Sequence, residues 1–276
     1  MHSGFSIAFI GGGNMASALV SGLADKLCPM SRIHVIDPNE GLREQWRARG
    51  AGVAAAPGDA LAACPVWVYA VKPQVLKEVA AQTRPWLRDS LAISIAAGIR
   101  AADLAAWLGE PGRPWSRVVR CMPNTPALIG AGVTGLAALP GVAQADRDLA
   151  TSILQAVGEA VWVDDEAALD GVTALSGSGP AYVFLLLEAL IEGGQAVGLD
   201  AAQSRRLALA TLAGATRLAA ESTEPPAVLR ERVTSKGGTT AAALAVMNEG
   251  GLKDIVLHAM QAAARRASEM GDEFGR

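Results

Sequence analysis

A glycine-punctuated turn close to the N-terminus constrains this chain more than any other feature. Phe5, Ile7, Phe9 and Ile10 form a short apolar strand, and Gly11, Gly13 and Ala16 follow at the G-x-G-x-x-[GA] spacing that converts a strand into a helix. Gly11 lets the chain turn tightly. Gly13 lacks a Cβ and lets a pyrophosphate approach the backbone, and Ala16 allows the helix to pack closely on its strand. Ala16, Leu19, Val20 and Leu23 then recur at i, i+3, i+4 and i+7, so the first N–H groups of that helix face the glycines, where they can bind an anion. The competing reading is a glycine-rich turn of structural use only.

The segments after this turn repeat the same architecture. Arg32–Asp37 reads as a second strand, followed by a helix carrying Leu42 and Trp46 and stopped by Gly50. Asp37 ends that strand about where such folds place an acid on the adenosine ribose, the alternative being an ordinary helix cap. Gly52–Ala54, Val66–Val71, Leu91–Ile95 and Val118–Met122 read as strands three to six, with Gly132–Ala138 and Ala160–Val163 beyond them and a helix over 145–157 between. Val66–Val71 is apolar throughout, as suits a parallel strand covered on both faces. Strands four to six end in Lys72-Pro73, Ala96-Ala97-Gly98 and Pro123-Asn124-Thr125-Pro126. These ends belong together, because ligands of open parallel sheets lie outside the carboxyl ends of the strands. Lys72 is either a ligand contact aimed by Pro73 or a solvated loop lysine. The expectation is an α/β fold, a Rossmann-like doubly wound parallel sheet over residues 1–165.

From Asp165 onward no strand is evident, and helical patterns cover roughly 166–174, 180–198, 200–221, 226–233 and 240–271, the last broken near Gly250-Gly251. Residues 166–276 are therefore expected to form an all-helical domain. In Ala181–Ile191 the apolar residues surround the helix instead of striping it, which suggests that a second subunit covers one face. Ser176-Gly177-Ser178-Gly179-Pro180 reads as a loop that enters this helix with proline at its first position. Val233-Thr234-Ser235-Lys236-Gly237-Gly238-Thr239-Thr240 sits directly before a helix from Ala241. The backbone N–H groups of Gly238, Thr239 and Thr240, with Ser235 nearby, form a candidate nest for a small carboxylate, where a simple helix cap would need only one of those hydroxyls.

Composition narrows the partners. The net charge of −3, with both signs interspersed, offers no basic field for nucleic acid. Cys28, Cys64 and Cys121 are widely spaced, and His2, His34 and His258 are scattered, so neither a disulfide framework nor a metal site is expected. Ala16-Ser17-Ala18 resembles a signal cleavage site, but no Lys or Arg precedes the apolar segment and Gly11–Asn14 interrupts it. Ala181–Ile191 contains Glu188 and is followed by Glu192, too short and too charged for a membrane span. A soluble, cytoplasmic protein with a small-molecule partner is expected.

Six segments together resemble one known family. They are Phe9–Ala16, Ala70–Pro73, Ser94–Gly98, Met122–Pro126, Leu175–Tyr182 and Val233–Thr240, the last continuing to Met247-Asn248. In order and number they are similar to pyrroline-5-carboxylate reductases from end to end. The resemblance implies a Rossmann-like N-terminal domain, a helical domain that interlocks in a homodimer, often a ring of dimers, and the last step of proline biosynthesis. In that reaction NADPH or NADH gives hydride to the imine carbon of 1-pyrroline-5-carboxylate, yielding L-proline.

It also implies residue roles. NADP(H), with NAD(H) also accepted, falls to Gly11, Gly12, Gly13, Asn14, Met15, Ala16, Ala70, Val71, Lys72, Pro73, Ile95, Ala96 and Ala97, to which the position at the end of strand two adds Asp37. The substrate falls to Ser235 and Thr240, which are closest to the chemistry, and the loop reading adds Val233, Gly237, Gly238 and Thr239 as further substrate-binding candidates. Lys236 departs from the family's usual proline, and Asp37 from the small hydroxyl residue often found near an NADP 2′-phosphate. Arg43 or Arg47 on the following helix is in a position to offset the Asp37 charge. Hydride transfer belongs to the cofactor, so no Ser-His-Asp set or carboxylate pair is required. The alternatives are another imine or carbonyl reductase of this architecture, or a non-catalytic NAD(P)-binding protein. A β-hydroxyacid dehydrogenase would need a catalytic lysine on the interdomain helix, and none lies between Lys77 and Lys236.

Overall fold

The computed structural model describes residues 5–24 and 26–275; His2 lies outside them. The elements run β1 (Ile7–Ile10), α1 (Asn14–Leu23), β2 (Ile33–Ile36), α2 (Glu40–Ala48), β3 (Gly52–Ala54), α3 (Asp59–Ala62), β4 (Val66–Tyr69), α4 (Pro73–Thr83), β5 (Leu91–Ser94), α5 (Ala101–Leu108), β6 (Val118–Met122), β7 (Gly132–Ala138), α6 (Gln144–Gln155) and β8 (Gly158–Trp162). Helices α7 (Ala168–Val172), α8 (Gly179–Ala196), α9 (Ala201–Glu221), α10 (Pro226–Arg232), α11 (Thr239–Glu249) and α12 (Leu252–Phe274) follow.

Among the described residues one sheet holds eight strands in the order β3-β2-β1-β4-β5-β6-β7-β8. Successive side chains of a strand face opposite sides, and the sequence makes both sides apolar. Ile7, Phe9, Val66, Val68, Leu91 and Ile93 join Leu19, Leu23, Trp46 and Ile153 in one core cluster, which places α1, α2 and α6 on that face. Ala8, Ile10, Trp67 and Tyr69 join Leu61, Leu76, Ala80, Leu104 and Leu108 in the other, under α3, α4 and α5. The chain is thus doubly wound. Strand order reverses between β1 and β4, and the crevice that opens at such a switch point is where ligands of this architecture bind.

The sheet is parallel except where β7 runs antiparallel to β6. Only a 3₁₀ turn, Thr125–Ile129, lies between them, and that connection is too short for the crossover that parallel pairing requires. β8 pairs parallel with β7, so the last two strands oppose the direction of the other six.

Packing divides the chain into two compact units. The first runs to Ser178 and includes the chain again from Ala262; the second is Gly179–Gln261. The change from strands to helices near residue 165 marks a change of secondary structure, whereas contacts divide the chain later. The Ser176–Pro180 segment is not a loop. α7 passes into α8 through a π-helical turn, Thr173–Gly177, in which Ser178 N–H donates to Thr173 C=O at 2.8 Å. Pro180 has no N–H to give the Ser176 carbonyl, and Asn124 Nδ2 donates to that oxygen at 3.0 Å instead.

By length and composition this continuous helical run, Ala168–Ala196, would suffice to cross a membrane. The expectation of no span rested on Ala181–Ile191, with Glu188 inside it and Glu192 after it; the helical run extends beyond that stretch at both ends.

Candidate functional site

The glycine turn lies at the carboxyl end of β1, at the switch point. Gly11 N–H donates to Ile36 C=O and Ala70 N–H to Ile10 C=O, both at 2.8 Å, so the ends of β2, β1 and β4 are stitched together. Gly11 has φ +99°, and a Cβ there would lie 2.7 Å from the Ala70 carbonyl oxygen. Only glycine meets both demands. Ile95 N–H donates to Tyr69 C=O at 3.1 Å, which brings Ile95, Ala96 and Ala97 to the same edge. The structure therefore assembles Gly11–Ala16, Asp37, Ala70–Pro73 and Ile95–Ala97 along one rim.

That rim suits a dinucleotide. Gly13 is the N-cap of α1, with no side-chain cap and no acid in the first turn, so the positive end of the helix is left to an anion. A Cβ at Gly13 would meet nothing within 4 Å, and the residue is exposed. The space over the turn is open to a ligand. Lys72 is the exposed N-cap residue of α4, with Pro73 fixing the first helical position.

Asp37, expected at the adenosine ribose, also holds the turn. Its Oδ2 accepts the Gly12 N–H at 2.8 Å and its Oδ1 accepts the Asn39 N–H at 2.8 Å. Both oxygens hold protein backbone, and each keeps further acceptor capacity. Arg43 donates to the Asp37 carbonyl at 2.7 Å and pairs with Glu40, so it is engaged within its own segment. Arg47 remains exposed, 3.8 Å from the Glu40 carboxylate.

The phenol and thiols packed in and under the sheet are held away from proton chemistry. Tyr69 is buried, its hydroxyl lies 2.8 Å from Thr83 Oγ1, and burial raises its pKa well above the usual phenol range. Burial likewise pushes the Cys64 thiol up to about 11 and the Cys121 thiol further. These are packing residues.

Two polar arrangements near the rim went unread in the sequence. Arg120 sits on β6 almost fully buried; its guanidinium donates to Glu166 Oε1 at 3.0 Å, and the same oxygen accepts the Ala101 N–H at the head of α5 at 2.6 Å. A cation inside the apolar run Val118–Met122 was the available signal, since a buried charge demands a partner. Asn124 Oδ1 accepts the Val133 N–H at 3.0 Å, and with the Ser176 contact this pins the segment after β6.

The second candidate group lies in the other unit. Gly237 has φ +71°, and Gly238 N–H turns inward to Ser235 C=O at 3.0 Å. Gly238 is therefore not part of the expected N–H nest. It is the N-cap of α11, which carries no side-chain cap and no acid in its first turn. Thr239 and Thr240 are the first two helical residues, and a Cβ at Gly238 would lie 2.6 Å from Ser235 Oγ. The Ser235 hydroxyl and the head of α11 share one corner, with the exposed Val233 two residues before Ser235. Positive helix end plus hydroxyls is a carboxylate site in chemical terms.

Fold and rim define an NAD(P)-dependent oxidoreductase of the Rossmann type, and residues 6–98 match the family described as NADP oxidoreductase, coenzyme F420-dependent. Residues 166–270 match the family described as pyrroline-5-carboxylate reductase dimerisation. A pyrroline-5-carboxylate reductase of Pseudomonas aeruginosa is 45% identical over 98% of this chain and 98% of its own length. Among solved structures, a pyrroline-5-carboxylate reductase from Coxiella burnetii superimposes with a TM-score of 0.89 at 38% identity, covering 96% of this chain and 98% of that one. That of Plasmodium falciparum, with NADP bound, gives 0.86 at 29% identity, covering 98% and 99%. The chain belongs to the pyrroline-5-carboxylate reductase family.

Proposed function

We propose that this protein reduces 1-pyrroline-5-carboxylate to L-proline with NAD(P)H, the last step of proline biosynthesis. The observation that carries the reading is the uncapped head of α1 behind Gly13, on a chain that shares 45% of its residues with a curated reductase over nearly its full length. The nicotinamide cofactor supplies hydride. The protein's own residues orient and bind. Gly11–Ala16 with Ala70–Pro73 and Ile95–Ala97 hold the dinucleotide at the switch point. In the helical unit, the N–H groups of Thr239 and Thr240 at the head of α11 take the substrate carboxylate, with Ser235 beside them and Val233 and Gly237 shaping the approach. One carbon separates that carboxylate from the imine nitrogen, so the Thr240 hydroxyl can orient or protonate the nitrogen from the same corner. Incubating the protein with 1-pyrroline-5-carboxylate and NADPH should consume the cofactor and form proline in equal amounts; cofactor consumption without proline would reject the assignment.

The same reading makes the protein a homodimer. Val183, Phe184, Leu185, Val246, Ile255 and Leu257 are each more than half exposed on a single chain. A second copy of this unit would bury them, as the dimerisation family match at 166–270 implies. A ring of dimers is the larger assembly that follows. Three free buried cysteines suit a cytoplasmic location. Light scattering should give at least twice the chain mass at low micromolar concentration, and a stable monomer would remove the interlocked helical unit from the account.

A further inference from the structure

Gly12 is held on both sides by side chains, one on the peptide before it and one on the peptide after it. Its N–H donates to Asp37 Oδ2 at 2.8 Å, and its carbonyl accepts from Trp46 Nε1 at 2.9 Å. The indole comes from α2 and is only 2 % exposed. A Cβ at Gly12 would lie 2.7 Å from Trp46 Nε1, so the contact leaves no space between ring and turn. The ring is itself fixed. Arg49 stacks 4.3 Å from its centroid and donates to the Ser17 and Ser21 hydroxyls of α1 at 2.9 and 3.0 Å.

A trans peptide is planar, with its C=O and the next N–H pointing in opposite directions. Pinning the Gly12 carbonyl on Trp46 therefore fixes the Gly13 N–H to point away from the indole, at an exposed residue with open space at its Cα. We propose that Trp46 is a positioning residue for the cofactor turn, presenting the Gly13 N–H to the dinucleotide phosphates through its grip on Gly12. The inference rests on the reading of Gly11–Ala16 as the cofactor site. The grip acts on the phosphate-binding turn, which NADPH and NADH share, so it contributes to affinity for both alike.

The test is Trp46→Phe, which keeps a ring in the core and removes the N–H. The dissociation constants of NADPH and NADH, measured by titration of nucleotide fluorescence, should both rise about tenfold, the worth of one lost buried hydrogen bond. kcat at saturating cofactor and KM for 1-pyrroline-5-carboxylate should stay near their original values. A purely structural role predicts a lower Tm with unchanged Kd, and that result overturns the proposal.

Gly13→Asp separates this from the site reading. Aspartate is a favourable N-cap, the position has room, and its carboxylate would repel a pyrophosphate. If Gly13→Asp leaves cofactor affinity intact, the turn is not the cofactor site. If it weakens binding while Trp46→Phe does not, only the positioning role fails. Should Trp46→Phe not fold, hydrogen exchange on the unsubstituted protein decides: NADPH should slow exchange of the Trp46 indole N–H, and unaltered exchange refutes the grip.

Discussion

Substituting Gly11 and Gly13 separately by alanine should divide folding from binding within one motif. At Gly11 the new Cβ faces two penalties. The backbone is at φ +99°, which costs an L-residue about 1–2 kcal/mol, and the Cβ would sit 2.7 Å from the Ala70 carbonyl oxygen and 2.9 Å from Val71 Cγ1, an overpacking that costs about 1–3 kcal/mol more. Together these give about 2–5 kcal/mol. For a domain of 150–250 residues each kcal/mol lowers Tm by about 2–4 °C, so a drop of roughly 4–20 °C is expected. At Gly13 φ is −74° and the Cβ meets nothing, so Gly13→Ala should melt within about 2 °C of the original protein while weakening NADPH binding, because the methyl group occupies the ligand's space. Differential scanning fluorimetry with and without NADPH reads both effects. A Gly11→Ala protein as stable as the original, or a Gly13→Ala protein that loses stability but binds normally, would refute the reasoning.

Thr240→Val should lower kcat/KM for 1-pyrroline-5-carboxylate by about 10- to 1000-fold with little change in Tm, because Gly238 and not Thr240 is the N-cap of α11; steady-state kinetics with thermal unfolding check both. If the Asp37 carboxylate lies at the adenosine ribose as proposed, Asp37→Ser should raise the ratio of NADPH to NADH kcat/KM, and it should also lower Tm, since the Gly12 and Asn39 N–H groups lose their acceptor; an unchanged ratio would mean that the carboxylate serves the turn alone. Burial raises the Asp103 pKa above its ordinary value of 3.8. As pH rises through the carboxylate range the unfolded chain therefore releases this proton before the folded chain does, and stability falls. Asp103→Asn should remove that loss, so the Tm of the variant relative to the original should increase from the acid side of the carboxylate range to neutral pH.

Local spacing carried much of the outcome into the sequence. The Gly11–Gly13–Ala16 turn, the apolar strands on either side of the switch point and the change to helices all depend on residues near one another in the chain. What was not legible depends on choices between partners. Spacing places Asp37 at the end of β2, but does not say whether its oxygens take a ribose or the Gly12 and Asn39 backbone. Trp46 reads as one apolar residue of a helix until the structure puts its N–H on the Gly12 carbonyl. Glycine, serine and proline at 176–180 read as a loop, because the Asn124 side chain that replaces the missing proline donor lies far away in sequence. The reversal at β7 was accessible from the short Pro123–Ala131 connection alone.

The most direct measurement follows the transferred hydrogen. With NADPH deuterated at its hydride-donating carbon and 1-pyrroline-5-carboxylate as acceptor, mass spectrometry of the product should show L-proline one mass unit heavier, with the label on the former imine carbon. NADPH binding with no labelled proline would contradict the assignment as a pyrroline-5-carboxylate reductase.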